Sequence, residues 1–193
     1  MKRNQIKLTP AVYNNKWGYL DKSGIWAIKP KFDAAWKFDE NSIARVIVNK
    51  KVRLINTSGK FIGNHGFDGI EDFDSLGLAK VLKGYKWSLI NLKGKLLTNE
   101  LFDYIGEFSD NGYALIENNG LTGYIDKSGK VVINPQFFDA VNLNSKGYAA
   151  VKVCKRWHII DSYGNLIFFL EKCFLFHCLQ KLLERFRILA YTN

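Results

Sequence analysis

Asn15–Asp33 reads NKWGYLDKSGIWAIKPKFD, and Gly120–Asp139 reads GLTGYIDKSGKVVINPQFFD. Both carry a Gly-Tyr pair, then Asp-Lys-Ser-Gly, then Pro-x-Phe, about a hundred residues apart in a chain of 193. Such a recurrence marks either a duplicated site or the local grammar of a repeated fold. Spacing decides between them. Gly24, Gly59, Gly94, Gly129 and Gly164 fall 35 residues apart, and so do Leu20, Ile55, Ile90, Ile125 and Ile160. Asp21, Asn56, Asn91, Asp126 and Asp161 form the next column, followed by Phe32, Phe67, Phe102 and Phe137. Ala44, Ala79, Ala114 and Ala149 form another, each with Val46, Val81, Ile116 or Val151 two places on. Many columns in one register make this an internal repeat, and repeats of 20–50 residues belong to solenoids, propellers or arrays.

Within a copy, apolar and β-branched runs flank Asp-Lys-Ser-Gly. Asp or Asn can accept a hydrogen bond from the backbone two residues on, and Gly supplies the left-handed position, so the stretch predicts a short hairpin. The structural turn positions are therefore Asp21 and Gly24, Asn56 and Gly59, Asn91 and Gly94, Asp126 and Gly129, and Asp161 and Gly164. A polar or Pro break follows, then Phe-Asp, then Phe38, Phe73, Phe108 or Leu143. A second turn ends at Ser42, Gly77, Gly112 or Gly147, and another strand follows, such as YAAVKV from Tyr148 to Val153. Each copy offers three or four short strands and no helical period. So small a unit cannot bury its apolar face alone and must be covered by its neighbours.

Trp17-Gly18-Tyr19-Leu20-Asp21, with Gly24 and Pro30-Lys31-Phe32-Asp33 following, resembles the WG-repeat, or KWG-repeat, family of bacterial β-repeat proteins. The fourth copy is similar through Gly123-Tyr124-Ile125-Asp126, Gly129 and Pro135. The resemblance covers about Lys16 to Phe169, and only the first copy keeps Trp-Gly intact. Val52-Arg53, Trp87-Ser88, Thr122-Gly123 and Trp157-His158 stand there in the others. It implies a repeated β scaffold that mediates interactions, and it brings no catalytic residues.

The fold expected is an all-β repeat protein of five units of 35 residues with a C-terminal amphipathic α-helix. The units are 16–50, 51–85, 86–120, 121–155 and a partial 156–169, preceded by an N-terminal strand in 1–15. Thr9 to Lys16 aligns with Ala44 to Lys51, and the pattern ends after the fifth hairpin. That arrangement suits a propeller-like ring whose two ends share a blade, and an open solenoid gives the same period. From 170 to 193 the period changes to about 3.6. Phe174, Cys178, Leu182 and Phe186 line one side, and Gln180, Lys181, Glu184, Arg185 and Arg187 the other. Three readings stand for this helical segment: a cap on the array, a docking segment, or the product of a disrupted repeat gene.

Composition fits strands, with 14 Phe, 9 Tyr and only 3 Pro. The net charge of +10 is spread along the chain without a block of like charge, so solubility explains it better than nucleic-acid binding. Cys154, Cys173 and Cys178 do not form the framework of a secreted disulfide domain. The basic N-terminus lacks an apolar signal core, and no apolar run is long enough to span a bilayer. A cytoplasmic location is the expectation.

Candidate chemistry is sparse. Trp17, Trp87 and Trp157 lie 70 residues apart and could be stacking platforms for sugars or bases. Val52 and Thr122 fill the same column, which favours a packing role. Asp33, Asp68, Asp103 and Asp139 could bind calcium, but one carboxylate per unit is few, and capping of local backbone donors accounts for them better. Cys173, His177 and Cys178 lack the ligands of a structural zinc site. His65 and His158 occupy different columns, and no nucleophile elbow or phosphate loop occurs. The reading is therefore a scaffold that is not an enzyme, with no cofactor and no metal. Its partner would be a protein or a cell-envelope polymer, held where loops such as Asn64–Gly66 and Asn118–Gly120 vary between copies. A carbohydrate- or nucleic-acid-binding module using the Trp column and the basic surface is the alternative.

Overall fold

The computed structural model describes residues 7–170, with side chains through 167. All regular structure among the described residues is β, in eighteen strands forming five antiparallel sheets. The first sheet holds β1 (Thr9–Tyr13), β2 (Lys16–Leu20) and β3 (Trp26–Phe32). The second holds β4 (Ala34–Ala35), β5 (Ile43–Val48), β6 (Lys51–Asn56) and β7 (Phe61–Phe67). The third holds β8 (Gly69–Ile70), β9 (Leu78–Lys83) and β10 (Lys86–Asn91), with a single bridge between Ile90 and Leu96 in place of a fourth strand. The fourth is β11 (Tyr104–Ile105), β12 (Tyr113–Asn118), β13 (Leu121–Asp126) and β14 (Val131–Phe137). The fifth is β15 (Asp139–Ala140), β16 (Ala149–Val153), β17 (Arg156–Ile160) and β18 (Leu166–Leu170).

Every sheet is made of consecutive strands. Among the described residues, β1 belongs to the first sheet and β15–β18 form the fifth. The chain divides into two compact units, Met1–Asn99 and Glu100–Asn193. Leu170, expected to begin the helix, ends β18 instead, and the helical expectation from 171 to 193 lies outside the described residues.

The turns explain the period. Asp21 Oδ1 accepts from the N–H groups of Ser23 and Ile25, at 2.8 and 3.0 Å, while the Gly24 N–H donates to the Asp21 carbonyl. Gly24 sits at φ +75°, which only glycine adopts without steric cost. Asn56, Asn91, Asp126 and Asp161 repeat both side-chain bonds. The same device recurs in the first, second and fourth copies. Asp39 Oδ1 takes the N–H groups of Asn41 and Ile43, Asp74 those of Leu76 and Leu78, and Asn144 those of Lys146 and Tyr148. Ser109 keeps the backbone bonds of this second turn. Its fourth position is Gly77, Gly112 or Gly147 in later copies, and Ser42, at φ +61°, in the first.

Sheets bury one another's faces. Within 1–99, Tyr19, Ile28 and Phe32 of the first sheet pack with Ala44, Val46 and Ile55 of the second. Ile43, Leu54 and Phe67 of the second pack with Ile70, Ala79, Val81 and Ile90 of the third. In 100–193, Tyr124, Ile133 and Phe137 meet Ala149, Val151 and Ile160. Three or four short strands acquire a core only through this stacking, as a repeat architecture requires.

Gly18 and Gly123 have a separate cause. A Cβ on Gly18 would lie 2.4 Å from the Ile28 carbonyl oxygen and 2.8 Å from Pro30 N. One on Gly123 would lie 2.4 Å from the Ile133 oxygen and 2.6 Å from Pro135 N. The third long strand crosses close over this glycine, and both pairings shift register there. Arg53 and Ser88 occur in copies without Pro, where His65 and Glu100 stand in its column. We therefore expect Gly18→Ala to lower stability by about 1–3 kcal/mol through overpacking. Gly106→Ala, whose Cβ would meet nothing nearer than 3.5 Å, leaves stability unchanged or raises it by up to about 1 kcal/mol. Ser42→Gly relieves a left-handed side chain and raises stability by about 1 kcal/mol or less. Midpoints of urea unfolding check all three.

Candidate binding surface

Trp17 lies on β2 opposite Val12 on one side and Phe32 on the other, half-buried against the first core. Trp87 lies opposite Leu82, and Trp157 between Lys152 and Leu170. All three are half-buried, and the column's other members are half-buried Val52 and buried Thr122. Each Trp belongs to the second long strand of a different sheet, so the column provides one partly covered ring per sheet. Of the residues beside them, Arg53 fills its place by laying its guanidinium 3.7 Å from the centre of the Phe61 ring. Ser88 and His158 are buried.

The recurrent aspartates are engaged, by partners farther along the chain than expected. Asp33 binds the Lys16 ammonium at 2.6 Å and accepts the Asn49 N–H at 3.0 Å, in the tip of the next hairpin. Asp68 repeats this with Lys51 and the Gly84 N–H, and Asp103 accepts the Asn119 N–H at 2.7 Å. These are clasps between a strand end and a hairpin sixteen residues on, not local turns. Asp139 stands one place out of register, because Phe138 occupies the column, and it accepts its own neighbour's Ala140 N–H. The Lys16 ammonium first, then the Asn49 N–H, hold the Asp33 carboxyl below its ordinary 3.8. The Lys51 ammonium and Gly84 N–H do the same for Asp68. Burial would raise the Asp161 carboxyl, but hydrogen bonds from Asn165, Tyr163 and Gly164 outweigh it and the net shift is downward. Burial pushes the Tyr19 and Tyr124 phenols well above their usual range. Both donate to backbone carbonyls, of Trp36 and Val141 respectively.

Large exposed side chains cluster where copies differ. Tyr85, at a hairpin tip, is 97% exposed, and its column otherwise holds Asn15, Lys50, Gly120 and Lys155. Tyr163 is 83% exposed where Ser23, Ser58, Lys93 and Ser128 stand elsewhere. Ile25 and Phe138 likewise replace Lys60, Lys95, Lys130 and Asn165, or Asp33, Asp68 and Asp103. Sequence comparison between columns could have found these four residues. Of the two loops expected to vary, Asn118–Gly120 forms a hairpin tip, whereas Asn64–Gly66 lies within β7 as exposed strand. That segment falls at the register shift between the Leu54–Ile62 and Val52–Phe67 pairs and has no register partner of its own on β6.

No group of three or more His, Cys, Asp or Glu side chains among the described residues could hold a metal ion. His65 is exposed on β7 and His158 buried on β17, while Cys154 is an exposed free thiol at a hairpin tip. Cys173, His177 and Cys178 lie outside the described residues. No helix among those residues is long and apolar enough to cross a membrane.

The model of the family described as "WG containing repeat" matches residues 17–51, 53–87, 87–121 and 123–157. No curated protein matches the chain. Among solved structures, Hsv2 of Kluyveromyces lactis is 13% identical over 86% of this chain and 60% of its own, with a TM-score of 0.38. A eukaryotic initiation factor is 10% identical, covering 85% of this chain and 51% of that one, with a TM-score of 0.43. A Bacteroides caccae protein of unknown function is 16% identical, covering 85% and 77%, with a TM-score of 0.31. The chain thus spans about 60% of the length of the Hsv2 chain it matches.

A carboxyl whose folded pKa is depressed stabilises the fold above its unfolded pKa, and that stability is lost as pH falls through the folded value. In an NMR pH titration, Asp33 and Asp68 should show midpoints below 3.8. Lys16→Ala should move the Asp33 midpoint upward and leave that of Asp68 unchanged.

Proposed function

The chain belongs to the WG containing repeat family, and from that premise we propose that it is a non-catalytic interaction scaffold whose partner is a protein. The observation that carries this reading is the division of labour within the repeat. Residues that recur, such as Asp21, Gly24, Phe32, Ala44 and their counterparts, are consumed by turns and by the cores between sheets. Among residues that break the column pattern, Ile25, Tyr85, Phe138 and Tyr163 are large and exposed, with Tyr85 and Tyr163 nearly free of the protein surface. Tyrosine supplies broad contact area with few rotatable bonds and is enriched in interface hot spots. Sheets that hold such side chains at hairpin tips are suited to gripping a partner without chemistry of their own. The scaffold would act in the bacterial cytoplasm.

Replacing Tyr85 and Tyr163 by the polar residues of their own columns, as Tyr85→Asn and Tyr163→Ser, should leave unfolding unchanged, since both side chains are exposed. The expected outcome is that specific proteins cross-linked by the wild-type chain in extracts of the source organism are lost in the double variant. Turnover of any substrate, abolished by a single substitution that leaves the fold intact, would overturn the non-catalytic reading.

A further inference from the structure

In the second sheet, Arg45 of β5 closes the space toward the third. Its guanidinium donates to the Ile70 carbonyl at 2.8 Å and pairs with Asp72 at 2.6 Å. The cavity left there measures about 30 Å³. One repeat earlier, 35 residues back in both columns, the arginine is Pro10 and the aspartate is Lys37. The plug is missing and its acidic partner has become basic. The corresponding cleft opens to about 600 Å³, within the range of small-ligand sites.

Three lysines line this cleft: Lys7 ahead of β1, Lys22 in the β2–β3 turn and Lys37 after β4. None of them forms an ion pair among the described residues. Buried Leu8 and half-buried Phe38 add an apolar wall, and Thr9 and Ser42 contribute hydroxyls. The lining has a single carboxylate, Asp39, and its Oδ1 already accepts the N–H groups of Asn41 and Ile43. Lys37 also borders the small cavity of the second sheet, where Glu71 and Asp72 are already paired with Lys80 and Arg45. Three lysines lining one partly enclosed space favour an anion carrying more than one charge.

We propose that this cleft is a binding site for a small polyanion, one bearing two or more phosphate or carboxylate groups. The site is independent of the exposed tyrosines. The backbone of Lys22 lies in the turn that Asp21 caps, and Lys37 stands two residues ahead of Asp39, which caps the turn ending at Ser42. Lys22 and Lys37 thus stand beside capped turns, with Lys7 ahead of β1 on the same cleft. Pro10 keeps the space open because its ring is short and cannot reach across as Arg45 does.

Calorimetric titration of the full chain with tripolyphosphate and, separately, with citrate tests the site at two salt concentrations. One-to-one binding of either anion is expected, and a preference for one of them identifies the charged group the cleft takes. Lys22→Ala with Lys37→Ala should weaken binding roughly ten- to hundredfold, through loss of two charge-assisted contacts. Lys127→Ala with Lys130→Ala removes the same net charge from the fourth copy and should leave the affinity within about twofold. Pro10→Arg with Lys37→Asp rebuilds the plug of the next sheet and should abolish binding. Absence of binding by both anions overturns the proposal, as does an equal loss of affinity in the two double-alanine variants.

Discussion

One side-chain oxygen accepting two backbone N–H groups, followed three residues later by a left-handed backbone position, sets the rest of this structure. The motif fixes where each strand ends and which direction the next one takes. It is used twice in most copies, at Asp21 and Asp39 and at their counterparts, so its spacing becomes the spacing of the sheets. Strands between the turns are only five to seven residues long, apart from the two-residue edge strands, and none could hold register by its own side-chain pattern. Given the turns, Phe32, Val46 and Ile55 are delivered to the same face every time, and the cores between sheets follow.

Much of this was legible in the sequence, because both partners of the first turn lie within five residues. Asp21 and Gly24 carry their own explanation in the order of the letters. The second turn was half legible: its glycines stood out, while the first position passes through Asp39, Asp74, Ser109 and Asn144 and was missed. Asp33 defeated local reasoning for a different reason. Its N–H donor, Asn49, is sixteen residues away and is recognisable only once two hairpins stand side by side. Asn64–Gly66 looks like a loop by composition, and it is an irregular stretch of β7 held between the paired Ile62 and Phe67.

The candidate sites were less legible than the fold. A repeat hides its exceptions: Tyr85 and Tyr163 are ordinary residues until their columns are compared, and only solvent exposure gives them meaning. The cleft beside Pro10 is a stronger example. No local motif marks it, since it arises from the loss of an arginine and the reversal of an aspartate in columns that meet only through the packing of one sheet on the next. The tryptophans drew attention by their size, yet the structure leaves each of them half-covered by its own sheet.

Gly18 and Pro30 carry a final consequence. The close crossing that forbids a Cβ at Gly18 is seen again at Gly123 and Pro135, while copies with Arg53 or Ser88 run their third strand differently. The register of the third strand thus differs between copies that carry this glycine and the copy with Arg53, on a single step length. A builder exchanging parts among such repeats would have to move the glycine and the strand that crosses it together, since a side chain at that place would overlap the crossing strand. The smallest part that can be exchanged is that pair, not a single letter of the motif.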